Sequence, residues 1–536
     1  MPQPRCRCLI PLINRGMESL GHIEISPICS VYSSRTHGDF MPYRIFLPLI
    51  VATALPVAPS WADTAPQAEQ APLQTAFAAH DAEFVKWMND NHVPGLVWGV
   101  VQDGIVIHIG AFGSQRLDRE DQPVTADTGF RIASMSKAFT GYAILKLRDD
   151  GKLRLDDPAW KYIPEIKSWG KDITVADLLH HTAGFVTDDP WGDRQQVMPE
   201  VEFTKMLKAG VPRTAPRGTR YEYSNMGFAM LGRIISNVSR KDYASFVTAK
   251  VFKPLGMTAT TYENADVPAA TRAIGYRWEN EAWAQEPTMK HGAFGAMGGI
   301  TTSANDYAKW IGFLLSAWPA SEGDVKAKST IRAMHYGGGL PHKRTRPGKE
   351  SANCRITGIY GAGLVSSNDC ILGPVLFHGG GFPGYGSHML LIPDAGVGVF
   401  ALTNRTYAGP SAPVWDAATA LMQSGYVKAR TLPVSPLLAD GYATAKAIWA
   451  DGSVARQKPK LAMNILLDRS VDNWAKVLTE AKAKSGDCNT SAPITPTGNL
   501  AGRFSWTCKS GQVNGTLLLA PTKNAQIQAL ELTAAP

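Results

Sequence analysis

In the stretch FRIASMSKAFTGYAILKLRDDGKL, Phe130 to Leu153, a serine and a lysine stand three residues apart at the head of an apolar run with helical spacing. On a helix, positions i and i+3 share a face, so Ser134 and Lys137 lie side by side. A serine hydroxyl is a poor nucleophile until a base takes its proton. A lysine serves as that base only when burial or a nearby cation lowers its pKa. Beside Met135, Phe139 and Ile144 a charge is costly. Two readings compete: a long stem carrying its ammonium out to water, or a lysine buried so that it loses its proton beside Ser134. Ser-x-x-Lys alone is too common to decide between them.

Two further stretches bear on the choice. In PRGTRYEYSNMGFAMLGRIISNVS, Tyr223-Ser224-Asn225 separates a Pro- and Gly-rich turn from an amphipathic helix. A phenol near a lysine ammonium ionises more readily and can shuttle protons, and an asparagine amide can orient both the lysine and a substrate carbonyl. The plain reading is a helix entry capped by Ser224 or Asn225. In LFHGGGFPGYGSHMLLIPDAGVGVFALTN, a β run ends in His378-Gly379-Gly380-Gly381. Glycines let a substrate approach the backbone, so a main-chain N–H there can help form an oxyanion hole. The plain reading is a strand running into a glycine turn.

Together and in this order, the three stretches resemble the penicillin-recognising serine hydrolases: class C β-lactamases, D-alanyl-D-alanine carboxypeptidases, and related esterases and D-aminopeptidases. The resemblance runs from about Gln74 to Lys428 and includes DTGFRIASMSKAFT, GKLRLDDPAWKYIPE, ITVADLLHHTAGF, VFKPLGMTATTY and GAMGGITTSANDYAKW. It implies an α+β, β-lactamase/transpeptidase-like domain, with an antiparallel sheet flanked by helices and a helical subdomain. It also implies that Ser134 is the nucleophile, Lys137 its partner and Tyr223 the proton shuttle. Asn225, His378, Gly379 and Gly380 would orient substrate, and the N–H groups of Ser134 and Gly381 would bind the oxyanion. The implied activity is hydrolysis of an ester or amide through an acyl-enzyme, with no cofactor and no metal. The substrate would be a small ester, a D-amino-acid peptide or a β-lactam-like molecule. The rival is a non-hydrolytic penicillin- or cell-wall-peptide-binding or sensor protein. Loss of the serine, lysine or tyrosine would mark that rival, and all three are present.

One departure stands out. Many β-lactamases of this group carry Lys-Thr-Gly at the third motif, whose cation and hydroxyl help hold a carboxylate. Here His378-Gly379-Gly380 offers a titratable imidazole and no hydroxyl. Carboxylate recognition is then weaker unless a neighbour supplies charge. The candidate is HKRTRPGKESANCR, with Lys343, Arg344, Arg346, Lys349 and Arg355, whose plain reading is a solvated basic loop. Other chemistries find no support: there is no Gly-x-Ser-x-Gly elbow, no Gly-Lys-Ser/Thr phosphate loop, and no metal spacing around His180-His181.

These residues need a scaffold, and the chain is long enough for two folded units at 536 residues. A hydrophobic content of 44% with 19% charged residues fits globular domains, and the net charge of +8 is spread without long runs, so no nucleic-acid partner is indicated. LQTAFAAHDAEFVKWMNDN has helical spacing, and GLVWGVVQDGIVIHIGAFG reads as a hairpin turning at Asp103-Gly104. A mostly helical middle follows. Strands return around Tyr360–Leu364, Val375–His378, Ser387–Pro393 and Val397–Thr403, and SAPVWDAATALMQSGYVKA closes with a helix. This order implies one α+β domain, residues 74–429, whose sheet uses both ends of the chain. RTLPVSP, residues 430–436, reads as a linker. Residues 437–536 read as a small module with a helix on an antiparallel sheet.

The N-terminal region is expected to lie outside the fold. Residues 41–62 read as a signal peptide: Arg44, an apolar run Ile45–Ala58, and a Ser60-Trp61-Ala62 cleavage site. The run is too short to span a bilayer, and no cysteine marks a lipid anchor. Residues 1–40 read as an over-extended translation start. The expected location is periplasmic or secreted, with a small-molecule or peptide substrate as partner and no stable membrane anchor. Of seven cysteines, Cys354, Cys370, Cys488 and Cys508 lie beyond the signal. Two local disulfides, Cys354–Cys370 and Cys488–Cys508, are the simplest pairing for an exported protein, buried thiols being the alternative.

Overall fold

Asp103 and Gly104 both take positive φ, 53° and 82°, as a two-residue hairpin turn requires. They join the first two strands in a computed structural model that describes residues 67–535, apart from 120, 321–323, 336–337 and 428–429. The expected leader and signal segments lie outside the described residues. In chain order the elements that matter here are α1 (Gln67–Asp90), β1 (Gly95–Gln102), β2 (Ile105–Gly113) and α2 (Ser136–Asp149). Then come α3 (Asp189–Arg194), α4 (Asn225–Ser239), α5 (Ala304–Leu315) and α6 (Lys326–His335). The returning strands are β3 (His342–Thr345), β4 (Arg355–Tyr360), β5 (Val365–Asp369), β6 (Gly373–Phe382), β7 (Tyr385–Ile392) and β8 (Val397–Thr403), followed by α7 (Ser411–Gln423).

The strands form one eight-stranded sheet in the order β2-β1-β8-β7-β6-β5-β4-β3. Its first strand lies antiparallel to its last, with Trp98 opposite Ala401 and Val100 opposite Val399, so the sheet does use both ends of the chain. Two expected strands differ in detail. The chain turns at Gly361–Leu364 where a strand was expected, because Gly363 takes φ 80° and any Cβ there would meet the Lys137 carbonyl at 2.2 Å. Conversely, β6 does not end at His378. It runs through the three glycines to Phe382, paired with β7 from Leu376–Leu391 to Phe382–Tyr385, while β5 pairs only as far as Phe377. Among the described residues, one edge of the glycine segment is thereby left without a strand neighbour.

Helix α2 is buried on nearly all sides, from Ser136 to Leu145, which suits a helix enclosed between the sheet and the helical subdomain. Phe139 stacks on Trp310 of α5 at 4.0 Å, and α4 and α6 pack against it. Arg346 and Asp369 form a fully buried ion pair at 2.6 Å. Beside it Cys354 and Cys370 are bonded, fastening the start of β4 to the end of β5.

A second hydrophobic core, from Leu438 to Leu530, belongs to a separate C-terminal sheet domain. Its helices α8 (Pro436–Asp451) and α9 (Val471–Ser485) pack on strands β9 (Ala501–Cys508), β10 (Gly511–Leu519) and β11 (Ile527–Ala535). The Cys488–Cys508 disulfide joins the chain just past α9 to the end of β9. The segment read as a linker starts from a fixed point: Arg430 donates to Asp103 and to the carbonyls of Leu315 and Trp318.

A glycine sets the seat of α2. A Cβ on Gly141 would lie 2.2 Å from the Ala362 carbonyl oxygen, in the turn between β4 and β5. In an open helix, Gly→Ala stabilises by about 1 kcal/mol. Here the sign reverses, and Gly141→Ala is expected to cost roughly 1–3 kcal/mol through overpacking. Denaturant unfolding measures it directly, and an unchanged or raised midpoint would contradict this seating.

Candidate active site

Ser134 sits in a single 3₁₀ turn, Ala133–Met135, immediately before α2. Ala133 holds a left-handed φ of 48°, a conformation that costs a non-glycine residue about 1 kcal/mol. Neighbouring contacts hold the turn. Ser136 Oγ accepts from the Ile300 amide at 3.1 Å, and Ser387 Oγ of β7 donates to the Ile132 carbonyl at 2.8 Å. A Cβ on Gly380 would come within 2.3 Å of the same carbonyl, so the bare backbone lets β6 lie against the turn. That is the role of Gly380 here: it is not on the cleft lining.

Lys137, the second residue of α2, is fully buried, which settles the first question: the stem does not reach water. Its Nζ donates to Asn225 Oδ1 at 2.7 Å and to the Met297 carbonyl at 2.8 Å, and lies 3.0 Å from Ser134 Oγ. The first two partners can only accept, so they take two of the three ammonium hydrogens. The third position faces Ser134. In neutral lysine that position is the lone pair, directed at the hydroxyl it would deprotonate. Burial pushes the lysine pKa down to about 8, while Asp189, Asp193 and Asp188 oppose the fall.

Helix α4 supplies Asn225 at its first position. The stretch divides its work between neighbours: Ser224 caps the helix through the Gly227 amide at 3.4 Å, and Asn225 turns inward to Lys137. Its Nδ2 donates to Asp189 Oδ1 at 3.0 Å, which fixes the amide so that Oδ1 faces the lysine. The amides of Asn225 and Met226 donate to Asp188 at 2.6 and 2.9 Å.

Tyr223 corrects one expectation. Its phenol does not ionise readily beside the lysine. Burial, followed by Tyr360 and Asp189, pushes its pKa well above the usual range, and only the interaction with Ser134 pulls it back. Lys137 Nζ lies against the ring, 4.9 Å from its centroid. A protonated tyrosine here is a donor or relay, and the lysine is the stronger base. His181 lies beside the Tyr223 ring at 4.4 Å and is itself held by the Ser224 amide, which donates to Nδ1 at 3.1 Å.

His378 corrects another. The imidazole is not a cation in waiting: burial, with Lys137 and Arg344 adding to it, pushes its pKa down to about 3. Its Nδ1 faces the Gly379 carbonyl, so Nδ1 carries the single proton, and Nε2 accepts from Tyr360 OH at 2.8 Å. Both nitrogens are committed to the protein, so the ring offers a carboxylate no charge. Gly379 and Gly381 do line the cleft with Ser134, Tyr223 and His378, around a cavity of about 720 Å³.

The five basic residues part company. Arg344 lines the cleft. Arg346 is buried against Asp369, Lys349 reaches Glu83 at 3.4 Å, and Lys343 and Arg355 are exposed. Sequence reasoning missed Tyr360, His181 and the Asp188–Asp193 acids as parts of the site. A signal was available for the acids: Asp188-Asp189-Pro190 is a helix-entry pattern, separated from HHTAGF only by Val186 and Thr187.

Comparison with known proteins places this geometry. A family model for Beta-lactamase matches residues 74–423. Protein flp of Staphylococcus aureus is 30% identical over 329 residues, which cover 59% of this chain and 61% of that protein. Beta-lactamase-like protein 2 of Dictyostelium discoideum is 28% identical over 259 residues, 46% of this chain and 47% of that one. The chain thus spans less than two thirds of these relatives. Among solved structures, the octameric penicillin-binding protein homologue from Pyrococcus abyssi shares the fold with a TM-score of 0.54 at 20% identity, over 84% of this chain and 92% of that chain. A class C beta lactamase from Rhodobacter sphaeroides does so with a TM-score of 0.50 at 22% identity, over 65% and 99%. With a family model matched over most of its length and a buried serine–lysine pair at the head of α2, the chain belongs to the beta-lactamase family of serine hydrolases.

Proposed function

We propose that the protein is an exported hydrolase that cleaves an ester or amide through an acyl-enzyme on Ser134, acting on a small ester, a D-amino-acid peptide or a β-lactam-like molecule. The observation that carries this reading is the 3.0 Å approach of fully buried Lys137 Nζ to Ser134 Oγ. Neutral Lys137 takes the hydroxyl proton as Oγ bonds to the carbonyl carbon. The carbonyl π electrons move to oxygen, and the N–H groups of Ser134 and Gly381 receive the oxyanion. When the oxyanion collapses, the bond to the leaving group breaks, and that group takes its proton from the lysine by way of the Tyr223 hydroxyl. Water then attacks the acyl group by the same route, returning Ser134. Asn225 and the Met297 carbonyl keep the lone pair aimed throughout. His378 holds β6 as a neutral strut. Export rests on the Met41–Ala62 pattern, and two disulfides fit an oxidising compartment.

The pH dependence follows from the lysine. Only its neutral form accepts a proton, and a pKa near 8 leaves about one molecule in ten neutral at pH 7. The rate at which a fluorophosphonate labels Ser134 should therefore rise with pH through about 8 and level off above it. His378, neutral down to about pH 3, contributes no step. A rate that is flat from pH 6 to 9.5 would contradict the lysine's role as base.

The variants divide the work. With p-nitrophenyl esters, D-amino-acid amides and a chromogenic cephalosporin as substrates, Ser134→Ala should reduce turnover to background. Lys137→Ala should be nearly as damaging, and the double variant little worse than either, because the pair acts as a unit. Tyr223→Phe keeps the ring and should lose roughly 10²–10⁴-fold, the share of one acid–base group. Normal turnover by Ser134→Ala would sink the mechanism.

A further inference from the structure

The cleft holds a guanidinium and a carboxyl group that make no ion pair with each other, and burial pushes the carboxyl, Asp193, up to about 7 against the pull of Lys137. Arg344, on β3, lies 5.7 Å from the Phe377 ring and donates from Nε to His342 at 2.9 Å and from Nη2 to Tyr221 OH at 3.4 Å. Burial and Arg344 itself hold His342 below the ordinary imidazole range, so neither partner is an anion. Among the described residues no carboxylate reaches ion-pair distance of this guanidinium. Asp193, on α3, is 3% exposed, and Tyr407 OH donates to its Oδ2 at 3.0 Å. Among the described residues it too lacks a cation within ion-pair distance. Arg194 beside it is paired to Glu286 at 3.0 Å, and Lys137 spends its donors on Ser134, Asn225 and Met297.

An almost fully buried carboxylate is costly without a positive partner, and an unpaired guanidinium presents a fork shaped for an oxyanion. Both line the cavity of about 720 Å³ that holds Ser134, a size suited to a small ligand. We propose that the cleft selects zwitterionic substrates: Asp193, with Asp189 beside it, receives an ammonium group and Arg344 receives a carboxylate. The proposal rests on the reading of this cleft as the hydrolytic site. It narrows the substrate class to short peptides or depsipeptides that keep one free amino and one free acid group. It also supplies what the neutral His378 cannot, since the anion is met from the neighbouring strand β3.

Binding separates this claim from the chemistry. Full-length Ser134→Ala protein is titrated calorimetrically with alanyl-alanine, its N-acetyl form, its C-terminal amide, and the form blocked at both ends, each in the D,D and L,L series. The zwitterion should bind roughly 10–100-fold more tightly than either singly charged analogue, the range of a charge-assisted contact. In this background Asp193→Asn should abolish the ammonium's advantage and keep that of the carboxylate. Arg344→Gln should do the reverse. Asp193→Glu and Arg344→Lys should each retain part of the selectivity, which a general loss of structure would not. Equal affinities across the four ligands, no binding of any of them, or the same loss from both variants would overturn the proposal. The hydrolase reading fails separately: a wild-type cleft that binds the zwitterion but leaves Ser134 unlabelled by a fluorophosphonate sinks the chemistry and spares the selectivity.

Discussion

Everything in this domain turns on keeping an amine out of water next to a hydroxyl. Lys137 has no solvent contact and three oxygens around Nζ, two of which can only accept. Burial drives its proton off, and the acids of the Asp188–Asp193 segment draw it back. The outcome is an amine poised near neutrality, where general-base chemistry is most effective. That balance requires α2 to be enclosed on all sides, which accounts for its seating at Gly141, the stack of Phe139 on Trp310, and the close approach of Gly363 to the Lys137 carbonyl.

The glycines of β6 serve the same end from the sheet side. Gly380 allows the strand to touch the nucleophile turn, and the edge left open past Phe377 gives a substrate room beside Gly379 and Gly381. Where charge enters the cleft it comes from outside the strand. His378 is locked neutral between the Gly379 carbonyl and Tyr360, while Arg344 and Asp193 arrive from β3 and α3. The division leaves Ser134 and the charged groups of the cleft on different elements, so the charges can change without moving the serine.

Much of this was legible in the sequence, for identifiable reasons. Helical spacing put Ser134 beside Lys137, hairpin chemistry at Asp103-Gly104 marked the first two strands, and the order of elements foretold a sheet closed by both ends of the chain. The Tyr223-Ser224-Asn225 stretch announced a helix entry, and the structure uses it both as a cap and as part of the site. The sequence does not carry burial, and burial decides protonation. Tyr223 and His378 were expected to titrate usefully and both are held in their neutral forms, one pushed up and the other down. Nor does one-dimensional spacing show that Arg346 finds Asp369 while Arg344 finds no acid among the described residues, or that the His-Gly-Gly-Gly run stays in a strand because β7 pairs with it throughout.

The central claim is that Lys137 loses its proton easily in the resting protein. Heteronuclear NMR of the protein with ¹⁵N-labelled lysine, the Lys137 Nζ signal assigned by its loss in Lys137→Met, follows that proton directly. The account predicts a titration near pH 8, well below the 10.5 of a free lysine side chain. A Lys137 that stays charged past pH 10 would contradict it.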